Sequence, residues 1–143
     1  SLRDVSAEQL TYYSEKMPYL THLRAKHVVD EIARVEEGVN FLQIGDPKSF
    51  GRLMTQAHQS LRDLFQVSIP ELDFLVESAI NLQGCFGARL TGAGFGGCTV
   101  NLVAAEQAES FIEQLAASFQ QTYGRQAAIY ICTASQGATC LPV

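Results

Sequence analysis

The residues with chemical potential gather in one run, Thr91-Gly92-Ala93-Gly94-Phe95-Gly96-Gly97. Glycines permit positive φ and leave the backbone bare, so successive N–H groups can face an anion such as a phosphate. Taken literally, Gly92, Gly94 and Gly97 satisfy the GxGxxG dinucleotide spacing. That fingerprint works only where it follows a strand and opens a helix, because the helix N-terminus holds the pyrophosphate. Here the glycines lead into the β-rich run CTVNLV, and no helix is expected before about residue 106. No Lys-Ser or Lys-Thr follows them, so a Walker A loop is excluded as well. What remains is a tight, backbone-exposed turn between two strands. Two readings of it stay open: an anion-facing loop, or a glycine-rich connection that packs against neighbouring backbone. Phe95 between its glycines is expected to anchor in the core. Arg89, just ahead of the loop, is expected to pair with a carboxylate at the surface before a phosphate.

The other candidate groups carry less. His27 lies one residue before an apolar helical stripe and is expected to be structural. His58 and Ser60 are two apart, which on a helix points them in different directions, so they do not form a nucleophilic pair. Arg62 and Asp63 are adjacent and are expected to find partners elsewhere. No paired carboxylates stand out as acid and base. Cys85, Cys98, Cys132 and Cys140 form no CxxC pair and have no histidine at ligand spacing, so no zinc site is proposed. Cys98 and Cys132 lie in strand-like stretches, where cysteine is expected to be a small buried hydrophobe.

The elements that must position the loop follow from periodicity. Ser6 with Gln9 has capping-box spacing and opens a short helix limited by Pro18. A longer helix is predicted over 19–42, with Val28, Ile32, Val35, Val39 and Leu42 on one face as an apolar stripe. Asp46-Pro47 starts a third, running to about residue 65, with Phe50, Leu53, Met54, Ala57, Leu61 and Leu64 inward. Ser68 and Glu71 bracket Pro70 as a second capping box, opening a fourth helix striped by Leu72, Leu75, Val76, Ala79 and Ile80. After the glycine-rich stretch come a strand over 98–103 and a helix over about 106–123 that Gly124 stops. Further strands are expected over 127–133 and 138–141. Helices first, then strands with one helix between them, predict an α+β domain on an antiparallel sheet.

Composition sets the outer bounds. The 143 residues suit one domain, and 47% hydrophobic with 17% charged residues is a globular composition. A formal charge of −5 argues against nucleic acid as a partner, since phosphate neutralisation needs surplus Lys and Arg. No apolar run approaches the length of a membrane span and no signal segment opens the chain, so a soluble, cytoplasmic protein is expected. The first residue is Ser, which suggests a piece of a longer chain or a processed product.

Several segments together resemble one family. GARLTGAGFGGCTVNLV is similar to the third conserved motif of galactokinases, within the GHMP kinase superfamily. LRDVSAEQL, RAKHVVDEIARV, FGRLMTQAHQSLRDLFQVSIPELDFLVESA and QGATCL resemble galactokinase C-terminal sequence in the same order. The resemblance covers essentially all of residues 1–143 as a single domain. It implies an α+β, ferredoxin-like unit: helices packed on a small antiparallel sheet. It also implies a kinase that moves the γ-phosphoryl of MgATP to the 1-hydroxyl of α-D-galactose, in a cleft between two domains. In such proteins the motif matching Thr91, Gly92, Ala93, Gly94, Phe95, Gly96 and Gly97 faces the substrates and their phosphates. On that ground a Gly94→Val change is expected to impair turnover more than folding.

The family's N-terminal sugar motif, ATP-cradling loop and catalytic Asp with its Arg do not occur in this sequence. No catalytic residue and no metal ligand is therefore assigned here, and the chain alone is expected to be inert. Galactose, ATP and Mg²⁺ would be met in a cleft with the N-terminal domain. Two alternatives share the C-terminal motifs: a non-catalytic sugar and ATP sensor, and a kinase for a related sugar such as N-acetylgalactosamine.

Overall fold

Ser6 opens the first helix as its spacing predicts. Its hydroxyl accepts the Gln9 N–H at 3.1 Å, and the Gln9 side chain accepts the Ser6 N–H at 2.9 Å. In this computed structural model, which describes residues 1–137, α1 (Ala7–Tyr12) leads to α2 (Tyr19–Gln43) and α3 (Pro47–Ser60). A π-helical turn, Leu61–Phe65, extends α3 and ends at Gln66, whose φ of 62° is left-handed. Then follow α4 (Pro70–Ile80), strands β1 (Cys85–Thr91) and β2 (Cys98–Val103), and α5 (Ala108–Tyr123), which stops at the left-handed Gly124. The strands pair antiparallel in a two-stranded sheet, with Thr91 opposite Cys98 at the hairpin end. None of the described helices is long and apolar enough to cross a membrane.

The start of α3 follows directly from Asp46 and Pro47. The Asp46 carboxylate accepts the Ser49 N–H at 3.0 Å, and Pro47 takes the first turn, where a missing N–H costs nothing. Asp46→Ala is expected to lower stability by about 1 kcal/mol, read as a drop in the urea midpoint with unchanged slope.

Ala88 and Leu90, two apart on β1, share one face of the sheet and are 0% and 1% exposed. Ala88 joins Val76 and Ala79 of α4 with Phe111 and Leu115 of α5 in one core cluster. Leu90 joins Leu61, Val67 and Leu72 in a second. The edge of β1 away from β2 is covered by α3 at backbone distance. Gly51 lies so near that a Cβ there would sit 2.1 Å from the Phe86 carbonyl oxygen, and a Cβ on Gly87 would sit 1.9 Å from that of Gly51. The next residues on the same helix face complete the strand's hydrogen bonding. Thr55 Oγ1 accepts the Ala88 N–H at 3.4 Å, and His58 Nδ1 accepts the Leu90 N–H at 3.3 Å. Gly51, Thr55 and His58, at i, i+4 and i+7, thus stand where a neighbouring strand would be.

Three expectations need correcting, and a fourth falls outside the described residues. The inward face of α2 is not the apolar stripe: Val28 and Ile32 are half-buried, while Val35, Val39 and Leu42 are 61%, 49% and 59% exposed. Ala25 and Val29 pack on α1, and His27, Glu31, Arg34 and Gly38 face α3 and the hairpin instead. Residues 127–133 form no strand. Ala127 and Ile129 are partly buried and Ala128 and Tyr130 exposed, an alternation suited to a sheet, but no strand pairs with them among the described residues. A strand exists only through such pairing. The expected strand over 138–141, like Cys140, lies outside the described residues. Ser68 does not cap α4: its hydroxyl donates to Asp73 Oδ1, and Ile69 holds the cap position without a side-chain bond.

Candidate functional site: the glycine hairpin

The hairpin tip, residues 92–97, is built on a run of unusual backbone. Gly92, Gly94, Gly96 and Gly97 have φ of 88°, 80°, 132° and 89°, and Phe95 between them is itself left-handed at 56°. One contact fixes this tip: the Phe95 N–H donates to the Val67 carbonyl at 2.7 Å. The glycine at 94 makes that contact possible, since a Cβ there would lie 2.3 Å from the same carbonyl oxygen. Gly92 and Gly96 have no such neighbour; nothing comes within 4 Å of where their Cβ atoms would be. Among the described residues, the amides of Gly92, Ala93, Gly94, Gly96 and Gly97 have no hydrogen-bond acceptor in the protein. The hairpin therefore combines a docked tip with several free donors, a geometry able to receive an anion.

Phe95 is not a core anchor. Its ring is 72% exposed, because the left-handed backbone that sends its N–H to Val67 turns the side chain outward. Arg89 does pair with a carboxylate: Nη1 meets Glu31 Oε1 of α2 at 2.9 Å, and Glu31 also holds Arg34 at 2.9 Å. Arg62 and Asp63, expected to part, are joined at 2.8 Å, and Arg62 reaches Glu77 at 3.0 Å as well. Their π-helical turn changes the side-chain spacing that an α-helix would impose. Cys98 and Cys132 are exposed thiols, not buried hydrophobes; Cys85 is half-buried, and burial pushes its thiol up.

The two buried histidines are structural, as expected for His27. Its Nδ1 lies 2.8 Å from Ser60 Oγ and its ring is 4.7 Å from that of Phe65. His58 shares nothing with Ser60. Because a backbone N–H can only donate, His58 Nδ1 must be the unprotonated nitrogen and Nε2 carries the proton. Nε2 lies 3.1 Å from Asp73 Oδ1, close in distance but too poorly aligned to count as a well-formed hydrogen bond. Sequence spacing missed this group and Val67. The signal present was Gly51, Thr55 and His58 on one helix face, a row too small and polar for core.

Burial holds both His27 and His58 below the ordinary 6.5, and for His58 it outweighs the attraction of Asp73. Unfolding therefore takes up protons wherever the unfolded rings are charged and the folded ones are not. The stability this contributes is complete above about pH 6.5 and is lost as pH falls below it, toward the lowered folded-state values. Both rings act in the same sense, so stability is expected to decline as pH falls below about 6.5. Urea midpoints measured between pH 7.5 and pH 5 check this, and a flat profile would contradict it.

Among the described residues no cluster of three or more His, Cys, Asp or Glu side chains is arranged to hold a metal ion. The hairpin itself contains no carboxylate, and Asp73, behind it, is occupied by His58 and Ser68. Its chemistry is that of backbone donors.

The chain is similar in sequence and fold to known proteins. The family described as GHMP kinases C terminal matches residues 36–121. A galactokinase of Roseiflexus sp. is 50% identical over 137 residues, covering 96% of this chain and 35% of that protein. A human galactokinase is 43% identical over 141 residues, covering 99% of this chain and again 35% of the relative. The chain thus spans about a third of the length of the curated relatives it matches, and it corresponds to their C-terminal part. Among solved structures, Lactococcus lactis galactokinase complexed with galactose superposes with a TM-score of 0.86 at 34% identity, over 91% of this chain and 34% of that one. At lower identity the fold alone is shared: L. major mevalonate kinase in complex with R-mevalonate superposes with a TM-score of 0.61 at 22% identity, over 86% of this chain and 36% of that one. The helices that carry the hairpin and the sheet that ends in it are those of a C-terminal domain, and the chain belongs to the GHMP kinase family.

Proposed function

We propose that this chain is the C-terminal part of a galactokinase, a sugar kinase that transfers the γ-phosphoryl of ATP to the 1-hydroxyl of galactose. The observation that carries the reading is the row of hairpin amides without acceptors, held on a docked tip. The names of the relatives, and the galactose in the Lactococcus lactis structure, support the choice of sugar. In this reading Thr91, Gly92, Ala93, Gly94, Phe95, Gly96 and Gly97 form one wall of a cleft in the cytoplasmic enzyme. The free amides of Gly92, Ala93, Gly96 and Gly97 stabilise phosphate charge there, and a preceding N-terminal domain supplies the other wall.

Phosphoryl transfer depends on positioning and on charge stabilisation. The hairpin can donate hydrogen bonds to ATP phosphates, but it offers neither a base for the sugar hydroxyl nor a ligand set for Mg²⁺. Both tasks fall to the rest of the complete protein. Galactose 1-phosphate formation should therefore occur at about 1–100 s⁻¹ in the complete protein and be absent in the 143-residue chain. Turnover by the isolated chain, or none by the complete protein with galactose and MgATP, would sink the reading.

A further inference from the structure

We propose that His58, Asp73 and Ser68 are positioning residues that hold the hairpin in its phosphate-facing direction, by tying its root and its tip to one partly buried carboxylate. The inference rests on the reading that the hairpin faces phosphate, and it adds the device that holds it there.

The hairpin is held at two points. At its root, Leu90 donates its N–H to His58 Nδ1 at 3.3 Å, one residue before Thr91. At its tip, Phe95 donates its N–H to the Val67 carbonyl at 2.7 Å. Asp73 links the two holders. On the tip side its Oδ1 accepts the Ser68 hydroxyl at 2.5 Å, and on the root side the same oxygen stands 3.1 Å from His58 Nε2, an electrostatic contact without the alignment of a hydrogen bond. Ser68 is the neighbour of Val67 in the chain, so the carboxylate fixes the segment that presents the docking carbonyl. Val67 is further set by its own N–H, which donates to Leu61 O at 3.1 Å across the π-helical turn. Leu90 and Val67 also share one buried cluster with Leu61 and Leu72, so the root strand and the segment that holds the tip rest on one core.

The arrangement needs each group in one form. His58 is 1% exposed and must present a bare Nδ1 to Leu90, which puts its proton on Nε2, facing Asp73. An ionised Asp73 favours that tautomer and accepts from Ser68 with the same oxygen. Remove the carboxylate, and both the ring orientation and the 67–68 segment lose their common reference. None of the three side chains reaches the free amides of the hairpin, so their effect on phosphate is indirect.

The test uses the complete protein. Asp73→Asn keeps the volume and removes the charge. His58→Phe keeps the ring and removes the acceptor, while His58→Asn restores an acceptor near the position of Nδ1. For Asp73→Asn and His58→Phe we expect kcat to fall by about tenfold or more, with KM for the sugar within about twofold of the parent. Amide hydrogen exchange at Leu90 and Phe95 should accelerate relative to the Ala88 amide, which Thr55 holds. His58→Asn should recover part of the turnover lost in His58→Phe. Unchanged exchange at Phe95 in Asp73→Asn would overturn the proposal, as would full turnover in a folded His58→Phe protein. If His58→Phe fails to fold, Asp73→Asn decides alone. If the parent protein has no galactokinase activity, the functional reading fails, and the exchange of Leu90 and Phe95 still decides whether the tie exists.

Discussion

Gly87→Ala is expected to abolish cooperative folding of the chain at 25 °C, or to leave only a residual, low-midpoint urea transition. The added methyl would stand 1.9 Å from the Gly51 carbonyl oxygen and 2.6 Å from its Cα. These are backbone atoms in the middle of α3, with no rotamer to move aside. Helix and strand would have to separate by more than an ångström along the whole contact. The Thr55 and His58 bonds to Ala88 and Leu90 lie on that contact and would lengthen with it. Overpacking a core costs about 1–3 kcal/mol when side chains can adjust. A rigid backbone conflict with two further hydrogen bonds at stake exceeds that, in a domain whose total stability is of order 5–15 kcal/mol. Gly51→Ala meets the Phe86 carbonyl at 2.1 Å and should behave alike. A Gly87→Ala protein with a native-like midpoint would mean that α3 and β1 slide freely past each other, which their mutual glycines argue against.

Gly94→Ala should act on the hairpin and leave most of the fold standing. The new Cβ would sit 2.3 Å from Val67 O and 2.8 Å from Val67 Cβ, at a φ of 80° that an L side chain rarely adopts. The tip relieves both conflicts by leaving Val67, because it is surrounded by solvent on its other sides. We expect the Phe95 amide to lose its exchange protection and turnover of the complete protein to fall by about 100-fold, the scale of a one-ångström misplacement. Gly92→Ala is the comparison, since nothing lies within 4 Å of its Cβ position. It carries the cost of positive φ, about 1 kcal/mol, and should leave Phe95 protected. Retained protection and turnover in Gly94→Ala would show that the Val67 contact is incidental. The same geometry revises the expectation for Gly94→Val, whose first effect is to undock the tip, with any obstruction of phosphate coming after.

Local signals were the legible part of this sequence. The capping residues Ser6, Gln9 and Asp46 and the stop at Gly124 act within a few residues, so their roles could be read in advance. The glycine hairpin was legible for the same reason: positive φ is a local demand that only certain residues meet cheaply. Contacts between distant segments were not. On α2, apolar periodicity pointed to Val35, Val39 and Leu42, yet the helix turns Gly38 toward Phe50, with 3.2 Å between its Cβ position and that ring. Beside Gly38, His27 and Glu31 face inward because Ser60 and Arg89 are waiting for them. A pattern of hydrophobicity cannot register a polar side chain whose partner is 33 or 58 residues away. Phe95 was misplaced because its direction is set by the φ of its own backbone, and the docking carbonyl of Val67 follows a π-helical turn that carries no distinctive composition.

The cover of β1 by Gly51, Thr55 and His58 also governs how this sheet can grow. A polymer of strands needs two open sides on every unit, one to join the last copy and one to receive the next. Here one side is occupied by a helix whose Thr55 and His58 side chains accept the Ala88 and Leu90 N–H groups, and a strand arriving there would have to displace α3. Only the outer side of β2, with Val100 45% exposed, remains for an added strand among the described residues. Two such units can meet edge to edge across a two-fold axis, and the meeting uses up both open sides. Among the described residues, edge pairing of this sheet is thereby self-limiting: it ends in a closed pair while α3 stays in place.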